Sequence, residues 1–407
     1  MSVIEERHMR ERIKLPLLVL LGANFIAMMG VGFVVPFLPI FVRELGASGF
    51  TLGLLVAGFS LSMGLVQPLA GSFSDNHGRK RFLSAGLAIF AVCGFGYNLT
   101  NSVLDIMVVR FVQGIGAGMV FPVAMAYMAD RAPPQYEGRY MGLFNMSVMA
   151  GIGSGPVIGG ILKDLFGITA AFYGMGFASS FALLLVVIAL PESRARKVDK
   201  ESTPLLAVFL SIIKDRRMRG VLLVRVSMML AMISTFVFLP VMMSEVLKAS
   251  ATMIGIVITS RTLVSAALQF PSGWLADRYS RVMLTIISVL SVAGIVSLLG
   301  FSTEVWHVMI IFLLMGVGEA LFLPTTSALA MEGGQVFGMG ATMGVFNTAL
   351  TLGMFIGSIS AGLLIDQFGF GLAYALIAVA VAVTCLVSIP MMLRPSRVYV
   401  EALKGTK

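Results

Sequence analysis

Uncharged apolar runs of membrane-crossing length recur from one end of this chain to the other, and they constrain its fold more tightly than any other feature. Thr51 to Phe73 holds no charged residue, and neither does Phe82 to Asn98. A helix needs about 20 apolar residues to cross a ~30 Å hydrocarbon core. Twelve spans are predicted, over 15–41, 51–73, 82–99, 104–130, 139–164, 169–190, 218–245, 251–275, 282–301, 305–331, 338–365 and 369–393. The runs are too long and too seldom alternating for barrel strands, so they read as helices whose backbone bonds close within each segment. Prolines inside them (Pro36, Pro39, Pro122, Pro156, Pro240 and Pro324) suit membrane helices better than soluble ones. Of the 407 residues only 12% are charged, against about 25% in a soluble domain. The expected fold class is an all-α polytopic membrane protein.

A net charge of +9 raises the question of nucleic acid, and the positions of the bases answer it. With both termini placed in the cytoplasm, Arg43, Lys163 and Lys248 fall outside, and Arg110, Arg225 and Arg261 fall within spans. All the other Lys and Arg lie on the cytoplasmic side. That asymmetry is the positive-inside bias, so the predicted location is a multi-pass protein of the inner membrane with no nucleic-acid partner. "MSVIEERHMRERIK" is charged and the run after it exceeds a signal-peptide core, so no cleavable signal is expected. Cys93 and Cys385 read as buried free thiols. His8, His77 and His307 have no ligand-like spacing, and no metal or cofactor is expected.

The polar stretch 191–217 splits the spans six and six and is read as a cytoplasmic linker between bundles at 1–190 and 218–393, with a tail at 394–407. The inner part of the linker, Leu205 to Ile213, could form an interfacial amphipathic turn or two. The bundles are copies at a constant offset of 202 residues. Gln67, Gly71, Asp75 and Arg79 fall on Gln269, Gly273, Asp277 and Arg281; Gly114, Gly116 and Pro122 fall on Gly316, Gly318 and Pro324. "MGLFN" at 141–145 matches "MGVFN" at 343–347, and "DLFG" at 164–167 matches "DQFG" at 366–369. Because each copy has an even number of spans, the copies run parallel. Such a repeat puts a substrate site near midplane and makes rocking of the halves the natural motion.

"GSFSDNHGRK" at 71–80 and "GWLADRYSR" at 273–281 resemble the loop between the second and third helices of the major facilitator superfamily. Twelve helices, a central basic linker and the duplication extend the resemblance over essentially the whole chain. Two departures, Phe73 for the usual Leu and Asn76 for the usual Arg, leave the Asp-x-x-Gly-Arg core intact. The resemblance implies two pseudo-symmetric six-helix bundles working by alternating access, and no enzymatic activity. The loop charges then form a candidate gate. Gly78 allows a tight turn, Asp75 is expected to cap a helix N-terminus of the opposite half, and Arg79 can pair with Asp130. The duplicate carries Asp277, Arg281 and Glu332 at the same places.

Other motifs distinguish the halves. "GLFNMSVMAGIGSGPVIGG" at 142–160 resembles the fifth-helix motif of proton-coupled antiporters of this superfamily, through Gly142, Gly151, Gly155, Pro156, Gly159 and Gly160. Gly151, Gly155 and Gly159 lie four apart, so another helix can approach that face closely. "RFVQGIGAG" at 110–118 is similar to a fourth-helix pattern whose Arg is linked with proton coupling in the family. Glu319 is the acid deepest within any span. Arg110, Arg225, Arg261 and Glu319 fall on Phe312, Ala23, Phe59 and Ala117 in the duplicate, so none of these charges is repeated. Charges this costly in lipid face a cavity and do something there.

Several drug antiporters carry an acid in their first helix where this chain has Asn24, which moves the proton-coupling assignment to Glu319 and Arg110. Asn24, Gln113, Asn145, Arg261 and Asn347 are the candidate lining of a substrate cavity. Three buried Arg against one Glu favour neutral, zwitterionic or anionic amphiphiles over cations. The reading is a monomeric proton-coupled exporter of small amphiphilic or drug-like molecules, with protons and the bilayer as its partners. A lipid or lysolipid translocator on the same fold is the second reading. A membrane sensor or enzyme is the third, and nothing here resembles a catalytic constellation.

Overall fold

The computed structural model describes residues 3–131, 137–193 and 205–393. Among them the regular structure is helical throughout. The elements are α1 (Val3–Val34), α2 (Leu38–Glu44), α3 (Gly49–His77), α4 (Arg79–Gly96), α5 (Val103–Arg131), α6 (Glu137–Phe166) and α7 (Ile168–Ala189). A short α8 (Leu205–Lys214) follows, then α9 (Arg216–Glu245), α10 (Ala251–Arg278), α11 (Arg281–Ser297), α12 (Val305–Phe337) and α13 (Met339–Leu393). The linker residues 194–204 and the tail 394–407 lie outside the described residues. The carboxylate of Asp215 caps α9 by accepting from the Met218 N–H at 2.8 Å, which fixes where the linker ends and the next span begins.

Eleven of these helical stretches are long and apolar enough to cross a membrane, α1 and α2 together making the first. The last runs for 53 residues, twice what one crossing needs. Gly369, at φ 72° and ψ 173°, breaks it into two limbs. Only glycine adopts that backbone without strain. The chain therefore has twelve crossing segments among its described residues. Their side-chain distribution is that of a membrane protein: Phe270 is 88% exposed and Leu99 81%, while the mid-span charges Arg110, Arg225, Arg261 and Glu319 are all buried.

The helices sort into two compact units. In the first, α1 packs along α6 and α7, and α4 packs along α5 and α7. In the second, α9 packs along the length of α13, and α11 lies against α12 and α13. The division follows the two sequence halves except at two helix starts. Ser48–Ala57, which opens α3, belongs to the second unit, and Ala249–Thr259, which opens α10, belongs to the first.

Candidate functional site

Small residues set the distances between the helices that carry the mid-span charges. A methyl group on Gly316 of α12 would lie 2.6 Å from the Arg261 carbonyl of α10. With those backbones in contact, Glu319, one turn further along α12, reaches Arg261, and the Arg261 Nη2 donates to Glu319 Oε1. The two side chains are 6% and 7% exposed. The Arg261 Nη1 donates to the Thr235 hydroxyl of α9 at 3.2 Å, and the guanidinium lies 5.2 Å from the Phe312 ring centre. A buried guanidinium paired with a carboxylate, held by a hydroxyl and an aromatic face, satisfies both charges in a low dielectric.

The first unit uses the same two helix positions with the residues exchanged. Gly114 brings α5 against the Phe59 backbone of α3, and Arg110 lies 4.5 Å from the Phe59 ring centre. Phe59 and Arg110 correspond to Arg261 and Phe312, so each unit sets one arginine on one phenyl ring at this crossing, with the donor helix swapped. Among the described residues Arg110 meets no carboxylate. Its Nη1 donates to Gln113 Oε1 at 2.7 Å, the Tyr97 hydroxyl donates to the same oxygen at 2.7 Å, and its Nε has no acceptor. The two residues assigned to proton coupling from sequence, Glu319 and Arg110, thus lie in two separate networks, and Glu319 is partnered by Arg261.

At the helix ends, Gly78 turns the chain between α3 and α4 with φ +99°. Arg79 is 6% exposed. Its Nε donates to Asp130 Oδ2 at 3.0 Å, its Nη2 lies 2.5 Å from Asp75 and its Nη1 donates to Ser74 at 2.8 Å. Asp75 therefore meets Arg79, four residues along, within the gate cluster of Asp75, Arg79 and Asp130. Glu192 caps the start of α4, its Oε1 accepting from the Lys80 N–H at 2.8 Å. In the second unit Arg281 lies 2.8 Å from Glu332 and 3.8 Å from Asp277, and Arg217 pairs with the other Glu332 oxygen at 2.6 Å.

The glycines of α6 make a packing face. Methyl groups on Gly151, Gly155 and Gly159 would lie 2.6 Å from the Phe25 carbonyl, 2.5 Å from Gly32 Cα and 2.5 Å from Phe33 Cα, all on α1. Gly353 and Gly357 give α13 the same contact with α9. The face belongs to both units, and only Pro156 and Gly159 lack counterparts, since Ser358 and Ala361 replace them. Gly160 meets the Ala251 backbone, whereas Gly142 has no neighbour within 4 Å.

Two acids that the sequence reading left without a role cap the exchanged helix starts. Asp164 at the end of α6 accepts from the N–H groups of Ala251 and Thr252 at 3.0 and 2.7 Å, inside the first unit. Asp366 in α13 accepts from those of Gly49 and Phe50 at 2.6 and 2.8 Å, inside the second. All three positions of each cap are related by the 202-residue offset. The remaining polar candidates differ in setting. Asn24 is buried with neither amide atom hydrogen-bonded, beside an apolar void of about 10 Å³ lined by Leu20, Leu83, Leu87 and Val120. That space holds one water at most. Asn145 is exposed and Asn347 half-buried.

The model of the Major Facilitator Superfamily matches this chain over residues 20–248 and again over 221–405. The chain belongs to the major facilitator superfamily. A member of that superfamily is a membrane transporter, not an enzyme. The chain is 30% identical to an uncharacterised MFS-type transporter of Methanocaldococcus jannaschii, over 80% of this chain and 85% of that protein. It is 31% identical to the quinolone resistance protein NorA of Staphylococcus aureus, over 42% of this chain and 44% of that protein. That second match spans less than half of NorA. Among solved structures, a bacterial homologue of the human lysosomal transporter Spinster superposes with a TM-score of 0.77 at 15% identity. It covers 96% of this chain and 98% of its own, a likeness of fold.

Proposed function

We propose that this superfamily member is a proton-coupled exporter of small amphiphilic or drug-like molecules, with Glu319 as the proton-carrying group. The observation that carries the reading is the buried Arg261–Glu319 pair, in which an acid deep within a span has a cation as its direct partner. Neutralising Glu319 with a proton leaves the Arg261 charge uncompensated in a low dielectric, a costly state unless the guanidinium gains water or another acceptor. Proton binding is thereby linked to whichever conformation hydrates Arg261, and the linkage is reciprocal. On this reading Arg79 with Asp130 and Arg281 with Glu332 are gate pairs that hold the cytoplasmic ends of their units. The Asp164 and Asp366 caps hold the opposite ends. Export as the direction is supported by the glycine and proline pattern of α6 and by the partial resemblance to a quinolone resistance protein.

The test is accumulation in inside-out vesicles under an imposed pH gradient, with norfloxacin, an anionic dye and a neutral dye as probes. The wild type is expected to concentrate at least one probe until the gradient is collapsed. Glu319→Gln is expected to bind that probe without concentrating it. Gradient-driven accumulation by Glu319→Gln at the wild-type rate would remove Glu319 from the proton pathway.

A further inference from the structure

Arg225 of α9 is a mid-span cation with two guanidinium nitrogens for which the described residues offer no acceptor. It is 6% exposed, and its Nε and Nη1 are buried with no hydrogen-bond partner. The other two mid-span arginines are provided for: Arg261 by Glu319 and Thr235, and Arg110 by Gln113. Among the described residues no acid of the second unit forms an ion pair with Arg225, and the acids nearest the span interior are engaged elsewhere. Glu319 is taken by Arg261, Glu332 by Arg217 and Arg281, Asp277 by Arg281, Asp366 by the start of α3 and Asp215 by the start of α9.

What Arg225 has is aromatic. Its guanidinium carbon lies 4.4 Å from the ring centre of Phe346 on α13 and 6.0 Å from that of Phe322 on α12. A ring face steadies the charge of a guanidinium but accepts none of its in-plane N–H groups, so Nε and Nη1 remain open to a carboxylate or phosphate oxygen. The fold does not need the residue either. The first unit builds the corresponding helix with Ala23 at this position. An unrepeated cation, stacked and buried with donors unfilled, is a binding group awaiting a negative partner.

We propose that Arg225 is the receptor for an anionic group on the transported molecule, and that the cargo is a monoanion whose carboxylate, sulfonate or phosphate ester is joined to an apolar body. The proposal rests on the transport reading above and adds the charge class of the cargo. Phe346 and Phe322 supply the apolar surface beside the anion, and the guanidinium fork supplies its orientation. The same chemistry serves a soluble aromatic acid and a lysolipid with an anionic headgroup.

The experiment is equilibrium binding to the purified full-length protein in a neutral detergent, with two matched probe pairs. One pair is 2-naphthoate and 2-naphthamide, of equal shape and different charge. The other is lysophosphatidylglycerol and lysophosphatidylcholine. The anion of at least one pair is expected to bind tenfold or more tightly than its uncharged or zwitterionic partner. Arg225→Met, which keeps the length of the side chain and removes its charge, is expected to abolish that preference. Arg225→Lys, which keeps the charge without the fork, is expected to lose several-fold in affinity for the same anion and covers the case in which the Met variant does not fold. Preference in the naphthoate pair assigns a soluble acid, and in the lysolipid pair a lipid headgroup. Equal affinity within both pairs, a preference that survives Arg225→Met, or undiminished anion affinity in Arg225→Lys would overturn the assignment. The measurement uses no proton gradient and is repeated in Glu319→Gln, where the Arg225-dependent preference is expected to persist, so a failure of proton coupling leaves its outcome intact.

Discussion

Arg261 and Glu319 occupy positions where the duplicate has Phe59 and Ala117, so the second unit acquired a charge pair at a crossing the first unit builds with one phenyl ring and one methyl group. Such a pair is weak evidence for stability, because desolvating two charges offsets most of their attraction, but breaking it is costly. Arg261→Leu strands an unpaired carboxylate and is expected to destabilise the protein by about 3–5 kcal/mol. The double variant Arg261→Leu with Glu319→Leu removes both charges and is expected to recover most of that loss while abolishing coupled transport. Thermal melting in detergent reads the first effect, and a double variant as unstable as the single one would show that the pair is held for stability. The charges themselves were legible in the sequence as unrepeated ionisable residues within spans. Their partners were not. Arg110 and Glu319 are seven residues apart when placed in the common repeat register, and three-dimensional packing gives Glu319 to Arg261 and leaves Arg110 with an amide.

Among the elements, α3 and α10 are unusual in starting within one unit and continuing into the other. A helix start presents N–H groups without intrahelical acceptors and the positive end of the helix dipole, and a carboxylate that accepts two of them satisfies both. Asp164 and Asp366 do this for α10 and α3. Replacing either with Ala is expected to cost about 1 kcal/mol, and the two losses are expected to add because the sites share no partner. Asn, which keeps one oxygen acceptor and loses the charge, is expected to restore part of each. A melting temperature unchanged in the double Ala variant would show that water caps these helices equally well. The repeated "DLFG" and "DQFG" strings were visible as a match in the duplication. Their role was hidden because their partners are backbone groups distant in the chain. Asp75 pairs with Arg79, one turn away, so part of its carboxylate is engaged within its own unit.

For the molecule as a whole, the number of spans and the duplication were readable from apolar run length and a constant repeat offset, since the bilayer permits few other ways to satisfy a backbone, and the family was readable from the resemblance of the loops at 71–80 and 273–281. Substrate class was not readable, because it depends on which buried donors lack acceptors. The central claim is that outward movement of cargo is exchanged for protons through Glu319. The most direct measurement traps a pH-sensitive dye inside proteoliposomes preloaded with a transported probe and dilutes them into probe-free buffer. If efflux is exchanged for protons, the lumen acidifies as the probe leaves, and in Glu319→Gln the probe leaves with no change in lumenal pH. A lumen that stays neutral during wild-type efflux, or one that acidifies equally in the Gln variant, would contradict the account.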